Sequence, residues 1–160
     1  MKKRFVLAFV LTALIGTGLH FAYVLCPVAF VGLFAPVNES VWEHLKLLYW
    51  PFLAASGVLC FGADDAPRAW SGFLLAQLVM PLALLGTYYT LRAGFGVENV
   101  WVDIALYYLT LALGFWLAYR LQKSGALAFL SGVLVILVGL YGAALVLFTM
   151  APPNFPIFTP

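Results

Sequence analysis

Charge is what this sequence has least of: eight basic and six acidic residues in 160, or 9%, where a soluble domain carries about a quarter. The basic residues form no block beyond Lys2-Lys3-Arg4, so nucleic-acid binding has no electrostatic footprint. Cysteine is almost missing. Cys26 and Cys60 are the whole complement, and the spans read below put them near opposite membrane faces, too far apart for a bridge. Absent too are a phosphate loop, a G-x-S-x-G elbow, an H-E-x-x-H pair and any Arg-rich voltage helix. No internal repeat divides the chain into the two halves of an inverted-repeat transporter. What fills the space is apolar: 65% hydrophobic residues and a mean hydropathy of +1.05. A soluble globular domain is thereby excluded, and a lipid bilayer is the expected partner.

A membrane helix needs about 20 mostly apolar residues, so the length holds five spans and no separate soluble domain. The runs are 5–26, 38–62, 69–91, 99–121 and 126–150, in one transmembrane domain covering 1–160, with an apolar, Pro-rich tail at 151–160. The first run is too long for a signal-peptide core and no A-x-A site follows it, so it reads as a retained helix. Short links at 62–68, 92–98 and 122–125 make sequence neighbours antiparallel in a compact all-α bundle. The 27–37 connection is longer and largely apolar, which assigns it to the membrane interface.

Lys and Arg concentrate in cytoplasmic loops. With the N-terminus inside, Lys2, Lys3, Arg4, Arg68, Arg120 and Lys123 are cytoplasmic, against Lys46 and Arg92 outside. The expected orientation is therefore N-in, C-out, in the inner membrane of a prokaryote.

Polar and small residues recur at helical spacing in every run, and in a bundle that stripe faces other helices. The stripes are Thr12, Gly16, His20 and Tyr23; Glu39, Glu43, Lys46 and Trp50; Gln77, Pro81 and Tyr88; Asp103, Tyr107, Thr110 and Gly114; and Ala128, Gly132, Gly139 and Gly142. The last has no ionisable group, which suits it to close packing or to a homo-oligomer contact. At about 1.5 Å of rise per residue, His20 falls about 9 Å and Asp103 about 6 Å inside the outer ends of their helices. Glu43, His44, Tyr88 and Tyr89 fall in the same layer, so the expected polar site opens to the extracytoplasmic side.

The densest polar stretch is Pro36-Val37-Asn38-Glu39-Ser40-Val41-Trp42-Glu43-His44-Leu45-Lys46. Ser40-Val41-Trp42-Glu43 fits a capping box, with Ser40 accepting from the Glu43 amide and Glu43 reaching back to the Ser40 amide. Capping accounts for Asn38, Ser40 and one Glu; it leaves His44, Lys46 and the second Glu unexplained. The candidate polar site is His20, Asn38, Glu39, Glu43, His44, Lys46, Tyr88 and Asp103. Within it His20, Glu43, His44 and Asp103 are the candidate metal ligands, because imidazoles with carboxylates suit Zn, Fe or Mn.

PVNESVWEHLKL, with Gly18-Leu19-His20-Phe21, Tyr88-Tyr89-Thr90, Asp103 after a Trp, and the Pro-rich tail, resembles an uncharacterised family of small five-span bacterial and archaeal membrane proteins, a domain of unknown function. The resemblance covers essentially the whole chain. It implies a membrane fold and carries over no activity, substrate or cofactor. Such relatives often have an acidic residue shortly after the helix-one histidine, where this chain reads Tyr23-Val24-Leu25. Three functions fit these residues: a membrane protein whose polar cluster is structural or binds a ligand or ion, a metal-dependent membrane-embedded hydrolase or lipid-modifying enzyme, and an oligomeric small-solute or ion carrier.

Overall fold

Backbone amides surrounded by apolar side chains must satisfy one another, and the helix does so within a single segment. The computed structural model describes residues 2–122 and 124–160; Lys123, counted in the charge asymmetry, lies outside the described residues. Helices run over α1 (Lys2–Leu25), α2 (Ala29–Gly32), α3 (Val41–Cys60), α4 (Ala66–Tyr89), α5 (Val100–Leu121), α6 (Gly125–Phe129) and α7 (Ser131–Met150). A π-helical turn, Thr90–Gly94, extends α4, and a 3-10 turn, Pro156–Phe158, lies in the tail. No strand occurs among the described residues.

The helix starts follow local chemistry. Asp65 accepts from the Arg68 amide with Pro67 in the first turn, so α4 begins at Ala66, ahead of the expected 69. Asn99 caps α5 through the Trp101 amide, and Ser124 caps α6. The expected run 126–150 is two helices, broken at Leu130. The 27–37 connection contains α2, a single helical turn, inside what the sequence presents as loop. Gly62 and Gly96, at φ 72° and 66°, close the α3–α4 and α4–α5 connections in a region that only glycine enters freely.

Contacts between helices run in opposite chain directions. Phe5 meets Tyr119, Phe9 meets Phe115 and Thr17 meets Tyr108, which sets α1 antiparallel to α5. Glu43 meets Thr149 and Tyr49 meets Val138, which does the same for α3 and α7. Aromatic rings from α1, α3, α4 and α5 close the core, with Phe5 on Phe73 and the fully buried Phe52 on Phe73 and Phe115. Gly16, Thr12, Gln77, Thr110 and Gly114 of the expected inward stripes are buried.

Four segments are long and apolar enough to cross a membrane: Lys3–Leu25, Ala66–Gly94, Val100–Leu121 and Ser131–Met150. The surface they present carries Leu14, Ile136 and Leu140 at more than half exposure, a poor surface for water and a good one for lipid. The remaining long helix, α3, falls short on hydropathy because of Glu43, His44 and Lys46. It packs against α1, α4, α5 and α7, so its polar side chains meet protein. The glycine stripe of α7 divides accordingly: Gly132 and Gly139 face open space, whereas a Cβ on Gly142 would land on the Tyr49 hydroxyl. That hydroxyl donates to the Val138 carbonyl at 3.0 Å. Gly142→Ala is expected to cost about 1–3 kcal/mol by overpacking, read as a lowered thermal midpoint, while Gly139→Ala, in open space inside the helix, is expected to raise it, Ala being the better helix former by about 0.5–1 kcal/mol.

Candidate functional site

Around the start of α3 two polar clusters separate by helical phase. Residues 43, 46 and 50 share one face and residues 44 and 47 another, because a turn holds about 3.6 residues.

The first face holds the α1–α3 connection. Lys46 is fully buried, and its three ammonium hydrogens find Glu43 Oε2 at 2.6 Å and the carbonyls of Gly32 and Ala35 at 2.7 and 3.3 Å. The Glu43 carboxylate also accepts from the Val37 amide at 2.9 Å and, through Oε1, from the Thr149 hydroxyl at 2.8 Å. Trp50 Nε1 donates to the Leu33 carbonyl at 3.0 Å. These contacts fasten α2 and its flanking turns over the bundle end. The capping box forms in part: Ser40 Oγ accepts from the Glu43 amide at 3.4 Å, but the Ser40 amide donates to Asn38 Oδ1 at 2.9 Å. The shorter Asx turn takes that amide and frees the Glu43 carboxylate for Val37 and Lys46. Ser40→Ala is expected to cost about 1 kcal/mol, visible in a thermal melt.

The second face lines a cavity of about 440 Å³, bounded by α1, α3, α4, the π-helical turn and α5. His20, Glu39 and His44 each bring one ligand atom within 4.8 Å of the others. The two imidazole rings lie 5.1 Å apart, and Glu39 Oε2 stands 3.4 Å from His44 Nε2. His44 Nδ1 is 2.8 Å from the Ser40 carbonyl, which can only accept, so Nδ1 donates there and Nε2, beside Glu39 Oε2, is the nitrogen turned to the cavity. This backbone anchor is the usual support of a metal-binding imidazole. A tetrahedral ion with bonds of about 2.0–2.1 Å sets its ligand atoms about 3.3 Å apart; Glu39 Oε2 and His44 Nε2 already stand near that separation, and no pair has to close by more than about 1.5 Å.

Of the residues singled out in the sequence, the cavity brings together His20, Glu39, His44, Tyr88 and Asp103. Asn38, Glu43 and Lys46 are committed elsewhere: Asn38 to the Asx turn, the other two to the buried ion pair. Glu43 therefore leaves the candidate ligand set, and Glu39 takes its place. Charge identity alone does not distinguish the two; the helical phase relative to α2 does. The cavity also gains Arg92, Thr17, Tyr107 and Tyr108. Arg92 donates to the Tyr88 hydroxyl at 2.7 Å and its Nε faces Glu98 at 3.6 Å. The sequence signal for the first contact is the Tyr88–Arg92 spacing of four. Tyr107 lies against α1, where a Cβ on Gly16 would meet its hydroxyl.

A family model described as a family of unknown function (DUF6512) matches residues 1–160. The chain belongs to this family. No curated protein and no solved structure matches it. Membership in DUF6512 agrees with the resemblance carried by PVNESVWEHLKL and brings no residue roles, so those of this DUF6512 chain rest on its own geometry. In these terms the Glu43–Lys46 pair is its structural centre. In the His20–Glu39–His44 group the imidazoles are half-buried and Glu39 is exposed, and a solvent-facing pair such as His44 and Glu39 contributes about 0–1 kcal/mol.

Proposed function

We propose that the chain is a five-span inner-membrane protein, N-in and C-out, that binds a divalent transition metal in an outward-facing cavity through His20, Glu39 and His44. One observation carries the reading: two imidazoles and a carboxylate converge within 4.8 Å, with one imidazole held by a backbone carbonyl so that its other nitrogen faces the carboxylate. Zinc and ferrous iron both accept two His and a carboxylate. Asp103, on the same cavity, is the reserve carboxylate. Three protein ligands leave a coordination position open toward the cavity. The remaining span is α3, whose Glu43 and Lys46 are buried and paired with each other.

Elemental analysis of the purified full-length protein tests the metal. About one ion per chain is expected in the wild type and none in His20→Ala or His44→Ala; equal, negligible metal in all three contradicts the reading. Topology has a native reporter, because Cys26 is exposed just beyond α1 and Cys60 is buried. A membrane-impermeant maleimide is expected to label Cys26 in intact spheroplasts. Labelling only after permeabilisation would reverse the orientation.

A further inference from the structure

Resting on that reading of the site, we infer that the cavity receives the anionic headgroup of a membrane amphiphile, a phosphate ester, which enters sideways between α1 and α5. Three features lead there. The first is the position of the opening. Beyond the Thr17–Tyr108 hydroxyl pair at 2.9 Å, α1 contributes Phe21 and α5 contributes Ile104 and Val100 to the same cavity. These three line the cavity and are 55%, 41% and 63% exposed. The α1–α5 seam is thus bordered by apolar side chains at the level of the polar groups inside, which is where an acyl chain can lie while its headgroup turns in.

The second feature is charge. The cavity holds the carboxylates of Glu39 and Asp103 and the guanidinium of Arg92. Without a metal the carboxylates are in excess and repel an anion; a bound divalent ion removes that excess. Glu98, no more exposed than Glu39, faces Arg92 from the rim and offsets its charge, so a bound divalent ion takes the group from net negative to neutral and lifts the repulsion of an anion. The third feature is the placement of Arg92. The π-helical turn Thr90–Gly94 carries it to the cavity rim, and such turns concentrate at functional sites. Tyr88 takes Nη1 and Glu98 faces Nε, leaving Nη2 without a partner among the described residues. A guanidinium opposite a metal with an open position can hold two oxygens of one phosphoryl group. A volume of about 440 Å³ lies within the range of small-ligand sites.

The test is calorimetric titration of the zinc-loaded full-length protein in neutral detergent with dodecyl phosphate, inorganic phosphate and dodecyl trimethylammonium, with metal content measured on the same sample. Dodecyl phosphate is expected to bind at least tenfold more tightly than inorganic phosphate, and the cationic amphiphile not to bind. Arg92→Gln is expected to weaken dodecyl phosphate about tenfold with its metal retained. Ile104→Trp, which narrows the seam, is expected to weaken dodecyl phosphate and leave inorganic phosphate unchanged. Equal affinity for the two phosphates, no binding by metal-loaded protein, or an Arg92→Gln variant with wild-type affinity would overturn the inference and leave the metal site standing. A sample that retains no zinc overturns the metal site itself.

Discussion

Glu43→Ala is expected to lose about 3–5 kcal/mol, the cost of stranding one member of a buried ion pair. Lys46 has no exposed surface, so its ammonium cannot turn to water when the carboxylate goes. The same substitution takes away the acceptor for the Val37 amide and the Thr149 hydroxyl, which loosens both the α1–α3 connection and the end of α7. Replacing a buried pair with apolar residues of similar volume is often neutral or stabilising. Here Glu43→Leu with Lys46→Met is expected to be no more stable than the worse single variant. The reason is that Lys46 also satisfies the carbonyls of Gly32 and Ala35, and each buried backbone group left unpaired costs about 1–3 kcal/mol. Thermal unfolding in detergent, followed by circular dichroism, measures Glu43→Ala, the double variant and its two component single variants. A Glu43→Ala midpoint equal to the wild type, or a double variant that matches it, would mean that the pair does not fasten the connection.

The second large effect separates the neighbouring residue. His44→Ala is expected to lower metal affinity by at least 100-fold while moving the thermal midpoint of the metal-free protein by no more than an exposed ion pair is worth, about 0–1 kcal/mol. Glu39→Gln is expected to lower affinity by a smaller factor, because Asp103 lines the same cavity and can supply a carboxylate. Competition with a chelator of known affinity reads the metal, and a melt of the stripped protein reads the fold. Residues 43 and 44 are adjacent in sequence, yet one variant should damage stability and the other binding. Loss of stability in the metal-free His44→Ala protein, with metal affinity unchanged, would assign the second cluster to structure as well.

The helical class was legible because the signal is redundant: long apolar runs, low charge and short links all point one way. The start at Asn99 was read from the sequence; those after Ser40 and Asp65 also follow caps that the sequence displays, but the expected bounds of 38 and 69 missed them by about three residues. The division of labour at α3 was not legible. Glu39 and Glu43 are four residues apart and look alike as capping or ligand groups; what separates them is that the Pro27–Val37 connection turns back over α3. Its carbonyls then draw in Lys46, which draws in Glu43. That fold-back is a long-range event with no local periodicity. Lys46, one turn from Glu43, was legible as its counter-charge; its burial was not, since a lysine near a helix end ordinarily snorkels to the interface, and here backbone carbonyls replace water. Arg92 was legible only as a loop charge, because a π-helical turn, not the spacing of apolar residues, decides which way it points.

The central claim is that His20, Glu39 and His44 share one ion, and X-ray absorption at the edge of the bound metal tests it most directly. Two imidazole nitrogens and a carboxylate oxygen at about 2.0–2.2 Å are expected in the wild-type protein, with one imidazole lost in any His44→Ala sample forced to bind at high metal concentration. A sulfur ligand from Cys26, a shell of oxygens alone, or an imidazole count that His44→Ala leaves unchanged would contradict it.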